Sequence, residues 1–122
     1  MQIKRSIPIF RIFDEDKARE FYIDWLGFKV DWEDKPEETP IYMQISRGGL
    51  IIHLSEHYAD CCPGSRIFVA MDRQEVESYH AELIAKDYKY MKPGLESLPW
   101  SELVFDVVDP FGNRISFNAM KD

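Results

Sequence analysis

Alternating apolar and polar positions predict that the chain begins with a strand followed by a helix. Apolar residues alternate through positions 6–13, and Pro8 places this strand at a sheet edge or near its start. Asp14 suits a helix N-cap, because its carboxylate can accept a hydrogen bond from the first turn. Apolar residues then recur at helical spacing: Ala18, Phe21, Tyr22 and Trp25. We expect Gly27 to end this helix.

The next segments predict three further strands. Extended patterns cover residues 28–33, 41–46 and 50–55, with a loop at 34–40 and a hairpin turn at Gly48-Gly49. Side chains alternate between the two faces of a strand, so Tyr42 and Gln44 share a face. Either that pair or its apolar neighbours (Ile41, Met43 and Ile45) faces a binding pocket. The predicted order is βαβββ.

The second half of the chain repeats this order. Residues 66–71 predict a strand, Asp72 suits a helix cap, and helical spacing follows at Val76, Tyr79, His80 and Leu83. Asp14 and Asp72 lie 58 residues apart (72 − 14), as do the first apolar positions of the two helices. Strands are predicted at 88–92, 102–108 and 114–118. The pattern predicts one α+β domain, residues 1–122, with half-units of about 3–57 and 65–119.

Charge and composition narrow the class of partner. The net charge of −7 argues against nucleic acid, whose binding needs clustered basic residues, and suits a cationic or neutral partner. Acidity that only keeps the protein dispersed is the alternative. No signal peptide or long apolar run is present, so we expect a cytoplasmic protein without membrane contact. The adjacent Cys61 and Cys62 are expected to be reduced thiols.

Two motifs resemble those of the vicinal oxygen chelate superfamily, which includes glyoxalases and bleomycin resistance proteins. Its first-helix motif is similar to FDEDKAREFY at 13–22 followed by WLGF at 25–28, and its final hairpin is similar to DPFGNR at 109–114. The resemblance covers nearly the whole chain. It implies that the two βαβββ modules form curved mixed sheets around a pocket, the glyoxalase/bleomycin resistance fold.

Within that superfamily the chain most resembles the bleomycin resistance proteins. The similar features are Asp31-Trp32-Glu33 after Gly27-Phe28, and Pro99-Trp100-Ser101 before the penultimate strand. The resemblance implies a homodimer with swapped first strands. It also implies sequestration of a bleomycin-type cationic glycopeptide antibiotic, or a similar ligand, at the dimer cleft. Such proteins bind their ligand without chemistry, so neither a catalytic residue nor a cofactor is expected.

Metal-dependent enzymes of the same superfamily provide the alternative function. By the family pattern, their ligand positions fall at Ile7, at Ser116 and within 65–68, where this chain has no His or carboxylate. The run from His53 to His57 contains two His and one Glu, which keeps a lyase, isomerase or dioxygenase open. His53 and Glu56 point to opposite faces of a strand, so no metal ligands are predicted here.

The candidate ligand-binding residues combine aromatic rings, acids and polar side chains. Trp32 and Trp100 could stack on a heteroaromatic or cationic ligand, with packing in the core or a dimer interface as the alternative. Acidic side chains near Trp32 would attract positive charge, or simply be solvated. The full predicted set is Trp32, Trp100, Asp31, Glu33, Tyr42, Gln44, His53, Ser55 and Ser116.

Overall fold

The computed structural model describes residues 1–120, which divide into two compact units. The first unit is Met1–Ser65, and the second begins at Arg66. Each unit contains one four-stranded mixed sheet, with a helix after its first strand. This is the βαβββ order that the sequence predicts. No helix within residues 1–120 is long and apolar enough to cross a membrane.

The first unit places its first strand at one edge of the sheet. The strand order is β1-β4-β3-β2, with β1 parallel to β4 and the other pairs antiparallel. The helix α1 continues directly into a π-helical segment. The elements are β1 (Ile9–Arg11), α1 (Glu15–Arg19), the π-helical segment (Glu20–Trp25), β2 (Lys29–Asp34), β3 (Tyr42–Arg47) and β4 (Leu50–Ser55).

The first helix begins and ends where the sequence predicts. The backbone N–H of Lys17 donates to Oδ1 of Asp14 at 3.0 Å, which confirms the predicted N-cap. Gly27 takes a left-handed φ of 79° just after the last turn, a conformation that glycine adopts without strain. The four predicted apolar positions are all buried: Ala18, Phe21, Tyr22 and Trp25.

The first sheet has a helix face and a polar face. The helix face holds fully buried side chains from β3 and β4, namely Met43, Ile45, Ile52 and Leu54. Glu33 pairs with Met43 across the strands and forms an ion pair with Arg19, so the helix lies on this side. The opposite side is called the polar face here; it carries Asp31, Trp32, Tyr42, Gln44, Ser46 and His53.

The second unit repeats the arrangement with the strand order β5-β8-β7-β6. Its first strand β5 pairs in parallel with β8, and the remaining pairs are antiparallel. The elements are β5 (Arg66–Ala70), α2 (Arg73–Ala85), β6 (Glu96–Leu98), β7 (Ser101–Val108) and β8 (Arg114–Met120).

The helical register of the repeat and the position of its second N-cap are confirmed. Val76, Tyr79 and Leu83 are buried, like their counterparts 58 residues earlier. The Tyr79 ring packs edge-on against Phe117 at 5.1 Å between centroids. Asp72 occupies the N-cap position with an extended backbone, but its side chain makes no capping hydrogen bond. The backbone alone therefore starts α2.

The strand predicted at residues 88–92 is wrong, because this segment forms a turn instead. Asp87 has a positive φ of 50°, and its carboxylate forms an ion pair with Lys92. The rings of Tyr88 and Tyr90 pack edge-on at 5.5 Å, although alternation would give them one strand face. These local contacts close the segment on itself, and pairing with β7 begins only at Glu96.

Candidate functional site

The polar face is built by cross-strand pairing of β2, β3 and β4. Gln44 lies directly opposite His53 on one side and Trp32 on the other. Tyr42 follows two residues before Gln44 and therefore points to the same face. The sequence pattern placed Tyr42 and Gln44 together, and the structure adds that the apolar set around Met43 faces the helix.

A β-bulge brings Asp31 and Trp32 to the same face. The pairing with β3 shifts between Val30, opposite Ile45, and Trp32, opposite Gln44. Simple alternation would send two neighbouring residues to opposite faces, but a bulge sets two residues against one on the partner strand. The Asp31 carboxylate consequently reaches the polar face beside the Trp32 ring.

Three rings form the centre of this face. The Trp32 and Tyr42 rings are nearly parallel, 9° apart, with centroids separated by 5.9 Å. The His53 ring stands edge-on to both, at 5.3 Å from Trp32 and 5.2 Å from Tyr42. Trp32 is 44% exposed, so its ring is open to solvent while its position is set by neighbours.

A continuous chain of hydrogen bonds joins two of these rings to neighbouring side chains of the polar face. Tyr42 Oη lies 2.7 Å from Nδ1 of His53, and Nε2 of the same imidazole lies 2.9 Å from Oε1 of Gln44. The Gln44 amide nitrogen donates to Oδ2 of Asp31 at 3.0 Å. The Ser46 hydroxyl donates to Oδ1 of Asp31, also at 3.0 Å. Five side chains are thereby held in fixed relation.

The local environment sets the protonation state of each member. Hydrogen bonds from Gln44 and Ser46 lower the pKa of Asp31, so this carboxyl is ionised. Burial lowers the pKa of His53, because it disfavours the charged imidazolium. Burial, followed by the nearby Asp60 and Cys61, raises the pKa of Tyr42. At neutral pH the chain therefore contains a carboxylate, a neutral imidazole and a protonated phenol.

Two residues predicted to bind ligand lie elsewhere in the first unit. Glu33 points to the helix face, where its carboxylate pairs with Arg19. Ser55 is fully buried. Its hydroxyl donates to Asp60 at 2.6 Å and accepts from the backbone N–H of His57 at 3.0 Å. Its contacts organise the turn after β4.

The remaining two predicted residues belong to the second unit. Trp100 lies in the turn between β6 and β7 and is 58% exposed. Ser116 lies on β8 and is almost fully buried; its hydroxyl accepts from the Asn118 amide at 3.0 Å. Asn118 also donates to the backbone carbonyl of Ser116. Ligand contact by Trp100 and Ser116 stays a prediction.

Two side chains at the polar face, Ser46 and His57, are absent from the set predicted to bind ligand. Ser46 follows Tyr42 and Gln44 at strand spacing, so the same alternation could have included it. The His57 ring lies 6.4 Å from the Tyr42 ring, at the margin of the cluster. This contact depends on the turn after β4, which strand periodicity does not describe.

Metal-ligating side chains are dispersed in the part of the chain that the structure describes. Among residues 1–120, no three His, Cys, Asp or Glu side chains are grouped so that they could hold a metal ion. Cys61 and Cys62 are free thiols in the segment that ends the first unit, and burial raises the pKa of Cys61.

Comparison with known families gives a match over the full length. The family model described as "Glyoxalase superfamily protein" matches residues 1–122. No curated protein shows significant similarity to the chain.

Solved structures of antibiotic-binding and antibiotic resistance proteins share the fold. A bleomycin-binding protein from bleomycin-producing Streptomyces verticillus, complexed with copper(II)-bleomycin, is 23% identical with a TM-score of 0.71, covering 99% of both chains. TnmS3, an antibiotic binding protein from Streptomyces sp. CB03234, is 23% identical with a TM-score of 0.65, covering 98% of this chain and 100% of its own. The bleomycin resistance determinant of transposon Tn5 is 15% identical with a TM-score of 0.70, covering 98% and 100%.

Proposed function

The chain belongs to the glyoxalase superfamily, and on this premise we propose that it binds a small-molecule ligand without transforming it, and that an aromatic group of the ligand stacks on the polar face. The exposed Trp32 ring, stacked parallel to Tyr42, is the observation that carries the proposal. A flat ring already held in place loses little conformational freedom when a second flat ring stacks on it. Trp32 is therefore the expected anchor for the ligand.

The hydrogen bonds of His53 favour binding over catalysis. Both imidazole nitrogens already have partners, Tyr42 at Nδ1 and Gln44 at Nε2. A His that served as a general base or a metal ligand would need one of these nitrogens free. The arrangement instead fixes the orientation of the ring, which suits a side chain that shapes a binding surface.

Charge supports a cationic ligand. Asp31 places a carboxylate beside Trp32, and Asp34 lies opposite Tyr42 on the same face. The net charge of −7 adds a long-range field that attracts cations. Aromatic faces also attract positive charge through their quadrupole. A bleomycin-type antibiotic, as bound by the structurally similar Streptomyces verticillus protein, fits this chemistry.

Calorimetric titration with metal-free and copper(II)-loaded bleomycin tests the antibiotic assignment. We expect saturable heat in the micromolar range for the wild-type chain and a large loss of affinity in Trp32→Ala. The absence of saturable binding by either form would reject bleomycin as the ligand. A tightly bound metal in the purified protein that is lost in His53→Ala would instead reject the non-catalytic assignment.

The proposal includes self-association as a homodimer, with the ligand in a cleft that the dimer forms. The resemblance to bleomycin resistance proteins is its basis. Light scattering coupled to size exclusion should therefore give twice the mass of one chain. A monomer that still binds bleomycin would remove the dimer cleft from the proposal and leave the polar face as the site.

A further inference from the structure

The direction of every hydrogen bond on the polar face follows from Asp31. An ionised carboxylate can only accept hydrogen bonds, so both of its side-chain partners must donate. Ser46 donates its hydroxyl proton, and Gln44 donates through its amide nitrogen. The amide of Gln44 is therefore oriented with its carbonyl oxygen toward His53.

That orientation determines the tautomer of His53. The Gln44 carbonyl oxygen can only accept, so Nε2 of His53, 2.9 Å away, must carry a proton. A neutral imidazole has one N–H, which leaves Nδ1 as an acceptor. Tyr42 lies 2.7 Å from Nδ1 and must supply its single hydroxyl proton to that nitrogen.

From this geometry we infer that Tyr42 offers only acceptor lone pairs to a bound molecule, so the polar face selects planar ligands that carry N–H donors. The inference rests on the proposed binding function and names its ligand class: amidinium, guanidinium or N–H heteroaromatic groups. A ligand that places a hydrogen-bond acceptor against the Tyr42 hydroxyl oxygen would bring two sets of lone pairs together with no proton to share. Such a contact is unfavourable. The Asp31 carboxylate repels anionic ligands in the same direction.

Three small aromatic probes separate donor selection from charge attraction. Benzamidine is a planar cation with N–H donors, trimethylphenylammonium is a cation without them, and benzoate is a planar anion with acceptors only. Affinities are measured from chemical-shift titrations of the Trp32 indole and the His53 ring. We expect benzamidine to bind about tenfold more tightly than trimethylphenylammonium, the effect of one hydrogen bond to a charged donor. Benzoate should bind most weakly.

Tyr42→Phe provides the matched control. The variant keeps a ring that can stack on Trp32 but removes the acceptor oxygen. We expect the ratio of the affinities for benzamidine and trimethylphenylammonium to fall to about one, mainly because benzamidine binds more weakly. If the two cations bind the wild-type chain with equal affinity, or if benzoate binds more tightly, the inferred selection for N–H donors is overturned. The proposed binding function would still stand. If none of the probes shifts either resonance, the proposed binding function fails as well.

A measurement on the free protein tests the same inference without a ligand. Nitrogen NMR of the His53 ring distinguishes the protonated nitrogen from the bare one. We expect the proton on Nε2 in the wild-type chain and a shift toward a mixture of tautomers in Gln44→Leu, which removes the acceptor. A proton on Nδ1 in the wild-type chain would overturn the inference, since Tyr42 could then donate to a ligand.

Discussion

The corresponding faces of the two sheets carry different chemistry on the same framework. In the first unit, the side of the sheet away from the helix holds three interacting rings: Trp32, Tyr42 and His53. In the second unit, Phe105 and Phe117 instead pack on the helix side against Tyr79. The opposite side has Ser116 and Asn118, buried and bonded to each other, with the exposed Phe68 on β5.

The difference shows that the repeated βαβββ order constrains the residues that pack between helix and sheet more than those on the opposite face of the sheet. Both helices need apolar residues at the same positions, because both must cover a sheet. The other face has no such requirement, so its residues can diverge. In the first unit these residues form an exposed aromatic surface. In the second unit, Ser116 and Asn118 form a hydrogen bond with each other. We therefore expect ligand contact to depend mainly on the first unit.

The largest expected loss of ligand affinity comes from replacing the exposed ring on the polar face of the first unit, compared with an exposed ring on the corresponding face of the second. Trp32→Ala should weaken benzamidine binding about tenfold or more, because it removes both ring stacking and attraction of the cation. Phe68→Ala is the matched control in the second unit, since its ring is 50% exposed against 44% for Trp32. Chemical-shift titration of both variants measures the difference. Similar losses in both would break the distinction between the faces.

The next expected effect is a loss of benzamidine affinity at acid pH. Burial holds the pKa of His53 below its ordinary value of 6.5, so lowering the pH through that pKa protonates Nδ1. Nδ1 would then donate to Tyr42, which turns the hydroxyl proton toward the ligand and adds positive charge. Binding measured from pH 8 downward should weaken accordingly, and His53→Gln should remove this step.

Other charged and titratable groups lie around His53 and could also affect benzamidine binding when the pH is changed. They comprise Lys29, Asp31 and Asp34 from β2, Tyr42 from β3, Arg11 from β1, and His57, Asp60 and Cys61 after β4. Asp31 has a lowered pKa and stays ionised in this range. If the loss of affinity at acid pH is equally large in His53→Gln, the effect does not come from His53.

The same lowered pKa links His53 to stability. Its folded-state pKa lies below the unfolded value, so the unfolded chain binds more protons as the pH falls. Stability should therefore be constant above about pH 6.5 with respect to this group and decrease below it. Tyr42→Phe removes a donor to the neutral ring and should raise the pKa of His53. NMR titration checks the direction; a lower pKa would contradict the assigned hydrogen bond.

The smallest expected effect on binding comes from the second unit. Ser116→Ala removes the hydroxyl that accepts from Asn118 and should cost about 1 kcal/mol of unfolding free energy. Because that hydroxyl already has a partner, we expect benzamidine affinity to change less than twofold, or about 0.4 kcal/mol. Denaturant unfolding and the same titration give the two values. A large loss of affinity with unchanged stability would place Ser116 in the binding site.

Sequence periodicity predicted the elements that depend on burial. Ala18 and Val76, at one offset, are both fully buried, and the cap at Asp14 forms as predicted. The turn at residues 88–92 was mistaken for a strand, because Tyr88 and Tyr90 alternate like strand residues. Their contact with each other and the ion pair between Asp87 and Lys92 decide the conformation, and such local closure has no periodic signal.

The site was predictable in its residue types but not in its arrangement. Alternation grouped Tyr42 with Gln44, but strict alternation along β2 would place Asp31 on the face of Glu33 and away from Trp32. The bulge after Val30 instead brings Asp31 to the face of Trp32, and no residue type in this segment indicates a bulge. The direction of the hydrogen bonds also required the structure, because it depends on whether the oxygen or the nitrogen of the Gln44 side-chain amide faces His53.

Benzamidine-induced chemical shifts over the whole chain show directly which of the two sheets binds the ligand. We expect the shifts to cluster on the polar face, at Trp32, Tyr42, Gln44 and His53, and to diminish together in Trp32→Ala. Shifts centred on Phe68 and Ser116, with the first unit unchanged, would contradict this expectation.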